Sequence, residues 1–188
     1  MPSNRRESVD PLQLISDDLV KYTASMVNDE YLTIYIDNSF SRSDRRYIRR
    51  LVRATDAILD IDFRFTRSRG QSDIRFFERY QVDNGDEDVV GRASLNKSNQ
   101  WDIIIRAAQI RSEARLTIVH EFGHVLGLEH PFDDYDGDYY GSTDPWVPAS
   151  ATTDETVMAY NYGNRSMPTF WRASDYDALT TIWGFEVY

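Results

Sequence analysis

Apolar positions along this chain switch repeatedly between a spacing of three or four and a spacing of two. Leu12, Ile15, Leu19, Tyr22 and Met26 follow the first spacing, which predicts an amphipathic helix behind a loose polar tail at residues 1–10. From Tyr31 to Asp37, Leu32, Ile34 and Ile36 alternate with Tyr31, Thr33 and Tyr35, a strand pattern rich in β-branched and aromatic residues. Helical spacing returns from Ser43 to Leu59, with Tyr47, Ile48, Leu51, Val52, Thr55, Ile58 and Leu59 on one face. Ser41 and Asp44 offer a capping-box-like start. Ile61, Phe63 and Phe65 mark the next strand, and Ile74–Tyr80 and Trp101–Arg106 two more; Val89–Leu95 is a weaker candidate, interrupted by Gly91. Ser112–Leu126 reads as a helix. A last helix begins near Ser174, with Asp177 three residues on and Ala178, Leu179, Ile182 and Trp183 as its apolar side.

Strand, helix and strand in succession require a crossover, hence at least one parallel pair, and the mixture of elements indicates an α+β fold. Between Glu129 and Thr156 the composition turns to Asp, Gly, Tyr, Pro and Ser, a long loop of the kind that usually carries function inside a compact domain. The expected organisation is an N-terminal tail and helix over residues 1–28, then one domain over 29–188, divided near residue 127. The N-terminal segment is either packed on the core or a pro-segment.

Composition narrows the function. With 41% hydrophobic residues the chain should fold, and its net charge of −10 argues against a nucleic-acid partner, which would require a basic face. No stretch approaches the about 20 apolar residues needed to cross a bilayer, so no membrane partner is expected, and a monomer is. The absence of cysteine excludes a thiolate metal site, a cysteine nucleophile and disulfides. Arg5 and Arg6 have no apolar run behind them, so no secretory signal is visible.

The chain has three histidines, and all fall in one motif: His120, Glu121, His124, Gly127 and His130 spell H-E-x-x-H-x-x-G-x-x-H. Residues four apart on a helix share a face, so His120 and His124 can converge on one metal. Glu121 flanks that face, where a carboxylate can reach the metal's water. Gly127 suits the end of the helix, and a chain reversal there returns His130 as a third ligand. A catalytic zinc typically takes three protein ligands and keeps a position for water.

This stretch resembles the zinc signature of the metzincin metallopeptidases, and Pro131 after the third histidine resembles the serralysins. Thr156-Val157-Met158-Ala159-Tyr160 is similar to their Met-turn, and Asp175–Gly184 resembles the segment closing their catalytic domain. The resemblance implies a minimal metzincin fold, with a twisted, mostly parallel sheet and an antiparallel edge strand. It implies a zinc endopeptidase acting on polypeptides, with Zn2+ on His120, His124 and His130 and Glu121 as general base. Tyr160 would bind the metal at rest or stabilise the transition state, and an extended substrate would pair with an edge strand, Val89–Leu95 being the candidate. Secretion is implied as well, with a cytoplasmic location as the alternative. The glycine-rich calcium repeats usual in serralysins are not found in the sequence, so calcium is not carried over.

Rival readings remain open at this stage. One is a non-hydrolytic binding protein that keeps zinc for structure; the other is a latent enzyme whose N-terminal segment blocks the metal through Asp10, Asp17 or Asp18. The acidic runs Asp133-Asp134-Tyr135-Asp136-Gly137-Asp138 and Asp83–Asp88 read as solvated turns, with calcium binding as the alternative. Arg42, Arg45, Arg46, Arg49, Arg50 and Arg53 read as a solvated helix face, with anion binding as the alternative. Phe132 and Trp146 line a specificity pocket or anchor the long loop.

Overall fold

The computed structural model describes residues 8–28, 31–83, 86, 88–107, 109–135, 137–164 and 166–186. Five strands form one sheet in the order β2-β1-β3-β5-β4: β1 (Tyr31–Ile36), β2 (Asp62–Phe65), β3 (Ile74–Arg79), β4 (Gly91–Leu95) and β5 (Trp101–Arg106). β1 runs parallel to β2 and β3, and β3 runs parallel to β5. Only β4, at the edge, is antiparallel to its neighbour. The helices are α1 (Asp17–Ala24), α2 (Arg42–Asp56), α3 (Arg111–Val125) and α4 (Ala173–Trp183). The expected α+β architecture, parallel pairing and antiparallel edge strand are all present.

Alternation sorts the sheet into two faces. Leu32, Ile34, Ile74, Phe76, Ile103 and Ile105 are buried on the face that the helices cover. The opposite face is closed by its own charged side chains. Arg75 grips Asp102 through two hydrogen bonds of 2.6 and 2.7 Å, and the guanidinium groups of Arg69 and Arg79 lie over the Phe77 ring. Phe77 is thereby buried under guanidinium groups.

α3 is buried along most of its length, from Leu116 to Phe122 and beyond. A helix covered on all sides belongs at the centre of a domain rather than on its surface. Phe122 meets Phe63 and Phe76 on one side, with ring centroids 5.8 Å away in each case, and Trp171 of the C-terminal segment on the other at 6.0 Å. α2 begins as predicted, with Ser41 Oγ accepting from Asp44 N at 3.1 Å, and turns Tyr47, Ile48, Leu51, Val52 and Thr55 inward. Arg42, Arg46, Arg49, Arg50 and Arg53 lie on its exposed side.

Two sequence expectations need correction. The single helix expected around Leu12–Met26 is split into a 3-10 turn (Pro11–Leu14) and α1. The backbone between them is committed elsewhere: Ser16 N donates to Gly127 O at 2.9 Å, and Glu129 N donates to Leu14 O at 2.9 Å. The last helix starts near Ser174, as expected, but is not capped by a Ser174–Asp177 pair. Asp175 accepts from Arg172 N at 2.7 Å, while the Ser174 hydroxyl donates to Glu155 O at 2.5 Å.

Tryptophan indoles fasten the layers. Trp101 Nε1 donates to Thr23 Oγ1 (2.9 Å), Trp171 Nε1 to Thr55 Oγ1 (2.9 Å) and Trp183 Nε1 to Leu126 O (2.9 Å). The Thr23 hydroxyl passes its own proton on to Val125 O, at 2.5 Å, near the C-terminus of α3. Thr23→Val keeps the shape but leaves the Trp101 indole and Val125 carbonyl unpaired in the core. It should cost about 1–3 kcal/mol, read as a lower urea midpoint at unchanged slope.

Candidate metal centre and cleft

The end of α3 builds the site. Gly127 has φ 101°, a left-handed value that glycine reaches without a Cβ clash. Gly127 N donates to His124 O at 3.1 Å and Leu128 N to Gly123 O at 2.9 Å, the paired bonds of a Schellman turn. The chain thereby reverses after His124 and carries His130 back beside the helix. His120, His124 and His130 then offer nitrogens all within 4.8 Å of one another. His124 Nε2 lies 3.1 Å from His130 Nε2, which lies 3.3 Å from His120 Nε2.

The outer nitrogen of each ring settles which atom carries the proton. His120 Nδ1 faces Val157 O at 2.9 Å and His124 Nδ1 faces Leu128 O at 2.8 Å. A carbonyl can only accept, so each Nδ1 is an N–H and each Nε2 presents a lone pair. Burial pushes His120 down to about 3 and His124 well below the ordinary histidine value, so neither ring takes a second proton near neutrality. His130 Nδ1 is held in the same sense by Asp133 Oδ2 at 2.9 Å. Lone pairs crowded at one point repel unless a cation stands between them, and a set of neutral imidazoles suits zinc.

Glu121, in the next helix position, is buried beneath β4. Burial pushes its carboxyl up to about 8, while the Ala93 N–H bond and the nearby Arg92 charge pull it back. Gly91 makes this approach possible, since a Cβ there would sit 2.7 Å from Glu121 Oε1. Beside Glu121 and His120 opens a cavity of about 410 Å³. Val89, Val90, Leu116, Trp146, Tyr160 and Tyr162 are among its lining residues.

Beneath the histidines, Met158 is fully buried, and its Sδ would stand 2.6 Å from a Cβ on Gly123. Tyr160 is 40% exposed, with its ring centroid 4.8 Å from His130 and 5.8 Å from His120. Burial, then the charges of Glu121 and Asp133, pushes its phenol up to about 12, so it remains a proton donor at neutral pH. Trp146 lines the cleft, whereas Phe132 stacks on His130 with centroids 4.8 Å apart and planes 6° apart. Asp10 caps the Pro11–Leu14 turn through Leu12 N, and Asp17 and Asp18 sit in the first turn of α1.

Sequence reasoning missed several contributors. Asp133, in a run whose composition reads as a solvated turn, instead bonds the third histidine. In the other acidic run Asp83 accepts from Arg92 Nη1 at 2.9 Å; Asn84, Gly85, Glu87 and Asp136 lie outside the described residues. Asp175 is fully buried and accepts from Thr156 Oγ1 (2.5 Å), Val157 N (3.1 Å) and Arg172 N (2.7 Å). Thr156 Oγ1 in turn accepts from Met158 N at 3.0 Å. Asp175 thus holds the peptide whose carbonyl orients His120. Its one sequence signal was its place in the C-terminal resemblance.

The fold and the convergent histidines beside a buried glutamate define a zinc metallopeptidase of the metzincin type. The solved structure of myroilysin superposes on this chain with a TM-score of 0.56 at 16% identity, covering 88% of this chain and 98% of that one. The Matrixin family model matches residues 15–136, and the chain belongs to that zinc-dependent peptidase family. No curated protein matches significantly.

Burial raises Asp175 to about 6, above the ordinary 3.8. Between those values the native state holds a proton that the unfolded chain has released, so this group's contribution to stability falls as pH rises from about 4 to about 6. Urea unfolding of the wild type and Asp175→Asn across that range should therefore show the wild type losing ground relative to the variant as pH increases. A constant difference refutes the assignment.

Proposed function

We propose that the chain is an endopeptidase that hydrolyses internal peptide bonds of proteins, with Glu121 as general base and Tyr160 as oxyanion donor. One observation carries the reading: a buried carboxyl stands beside three convergent imidazole lone pairs at the mouth of an open cavity. Structural zinc sites close with four protein ligands and have no use for such a neighbour. Zinc held by His120, His124 and His130 supplies Lewis acidity to polarise the scissile carbonyl and lower the pKa of water.

The protein's own groups supply the rest. Glu121, beside the three imidazoles and lining the cavity, is placed to take a proton from the attacking water and pass it to the leaving nitrogen. Tyr160, kept protonated, would donate to the developing oxyanion; the serralysin resemblance gives the same phenol a second use, as a resting ligand of the metal. β4 stands at the sheet edge, and strand addition there would hold an extended polypeptide through backbone bonds with broad selectivity. The apolar walls from Val89, Val90 and Leu116 favour an apolar side chain next to the scissile bond. Pro131 and Tyr160 support a serralysin-like subtype within the metzincins, and with it action outside the cell.

Glu121→Ala should retain stoichiometric zinc yet lose at least about 10²-fold in casein or gelatin hydrolysis, the usual contribution of general-base catalysis. Full turnover by that variant refutes the role, as does wild-type hydrolysis that survives a chelator. Tyr160→Phe should lower kcat by about 10²–10³-fold with KM little changed, as expected for a lost oxyanion donor.

A further inference from the structure

The three imidazoles are not supported alike. His120 and His124 lean on neutral main-chain carbonyls, of Val157 and Leu128, whereas His130 leans on a carboxylate. Asp133 Oδ2 lies 2.9 Å from His130 Nδ1 and 3.4 Å from His130 N, and Asp133 N donates back to His130 O at 3.0 Å. Histidine and aspartate therefore close a turn on each other. Phe132, between them in sequence, lays its ring on the imidazole face. The side chains of His130 and Asp133 are 17% and 22% exposed, so the pair is only partly screened by water.

This support falls where the backbone offers least. His120 and His124 ride on α3, whose helical hydrogen bonds fix both Cα positions. His130 lies beyond the helix, and among the described residues no helix or strand intervenes before α4. Holding a loop-borne side chain in one orientation costs conformational entropy that a helix has already absorbed. A charged acceptor on Nδ1 opposes that loss, and it also makes Nε2 a stronger donor to a cation than a neutral carbonyl would. A calcium role for this aspartate would need its oxygens turned to a shared cation, whereas Oδ2 is already directed at His130.

We infer that Asp133, with Phe132 against the ring, is the positioning residue of the third metal ligand: its carboxylate fixes the tautomer and orientation of His130 and strengthens its hold on the ion. The inference rests on the zinc-peptidase reading. It gives Asp133 no contact with metal or substrate.

The test uses the full chain and the variants Asp133→Asn and Asp133→Ala. Zinc affinity is read by competition with a chromophoric chelator, and coordination by the visible spectrum of the cobalt-loaded protein. Asp133→Ala should bind zinc about 10–100-fold more weakly, as is typical when a metal ligand loses its hydrogen-bond partner, and should alter the cobalt spectrum. Asp133→Asn can still accept from Nδ1 but carries no charge, so it should fall between the two. Melting midpoints of the chelator-treated proteins should stay together.

Zinc affinities of wild type and Asp133→Ala within about twofold, far below the usual effect, overturn the inference. So does a metal-free midpoint that falls as far as the zinc-loaded one, since the residue would then only stabilise its loop. If Asp133→Ala does not fold, Asp133→Asn decides the matter, and wild-type affinity in it overturns the proposal. A wild type that takes up no zinc or cobalt brings down the peptidase reading itself. A wild type that binds one ion and cleaves casein, while both variants bind as tightly, brings down this inference alone.

Discussion

The molecule is organised around a repulsion. Imidazole nitrogens are turned toward one another at 3.1 and 3.3 Å, and each ring's other nitrogen is committed as a donor. Such an arrangement is unfavourable unless a cation occupies the focus, so the surrounding structure must hold the rings together against their repulsion. Three separate supports do so: the Met-turn carbonyl for His120, the Schellman turn for His124, and the Asp133 carboxylate for His130. Two of them come from the turn that follows α3 and one from the distant Val157, so the helix that bears the motif does not orient its rings alone.

The best anchored support runs from α4. Asp175, without contact with the solvent, collects two backbone N–H groups and the Thr156 hydroxyl, and thereby fixes the Val157 peptide. Burial disfavours its charge while three donors favour it, a balance that ties the geometry of His120 to the packing of the C-terminal helix. Met158 supplies steric support from below, filling the space that Gly123 leaves on α3. The N-terminal segment performs a parallel service by pairing Leu14 and Ser16 with the residues after Gly127. The C-terminal helix thus supports the turn behind His120, and the N-terminal segment the turn behind His124.

The cleft owes its form to the sheet edge. β4 crosses α3 closely enough that Gly91 and Glu121 nearly touch, which removes the carboxyl from water and raises its affinity for a proton. The same strand ends the sheet, so its outer edge and the Glu121 carboxyl share one wall of the cavity. Away from the site, Arg75, Asp102 and the arginines around Phe77 seal the uncovered sheet face, which frees the helices to pack on the other.

The amino-acid order alone determined the parallel strands, because alternation such as that of Leu32, Ile34 and Ile36 has one sensible solution when one face is buried; the edge strand, expected over Val89–Leu95, begins only at Gly91. It also determined the pairing of His120 with His124, since a four-residue step on a helix permits no other geometry, and the reversal at Gly127 that returns His130. What it left undecided were the contacts made across the fold. The split of the N-terminal helix, the Thr156–Asp175 bond and the close packing of Gly91 on Glu121 join residues far apart in the chain, and periodicity carries no information about partners at such separations. Asp133 is the instructive exception, lying only three residues from His130. An aspartate in an acidic loop has the same local pattern whether it faces water or an imidazole, and only the folded turn decides which way it points.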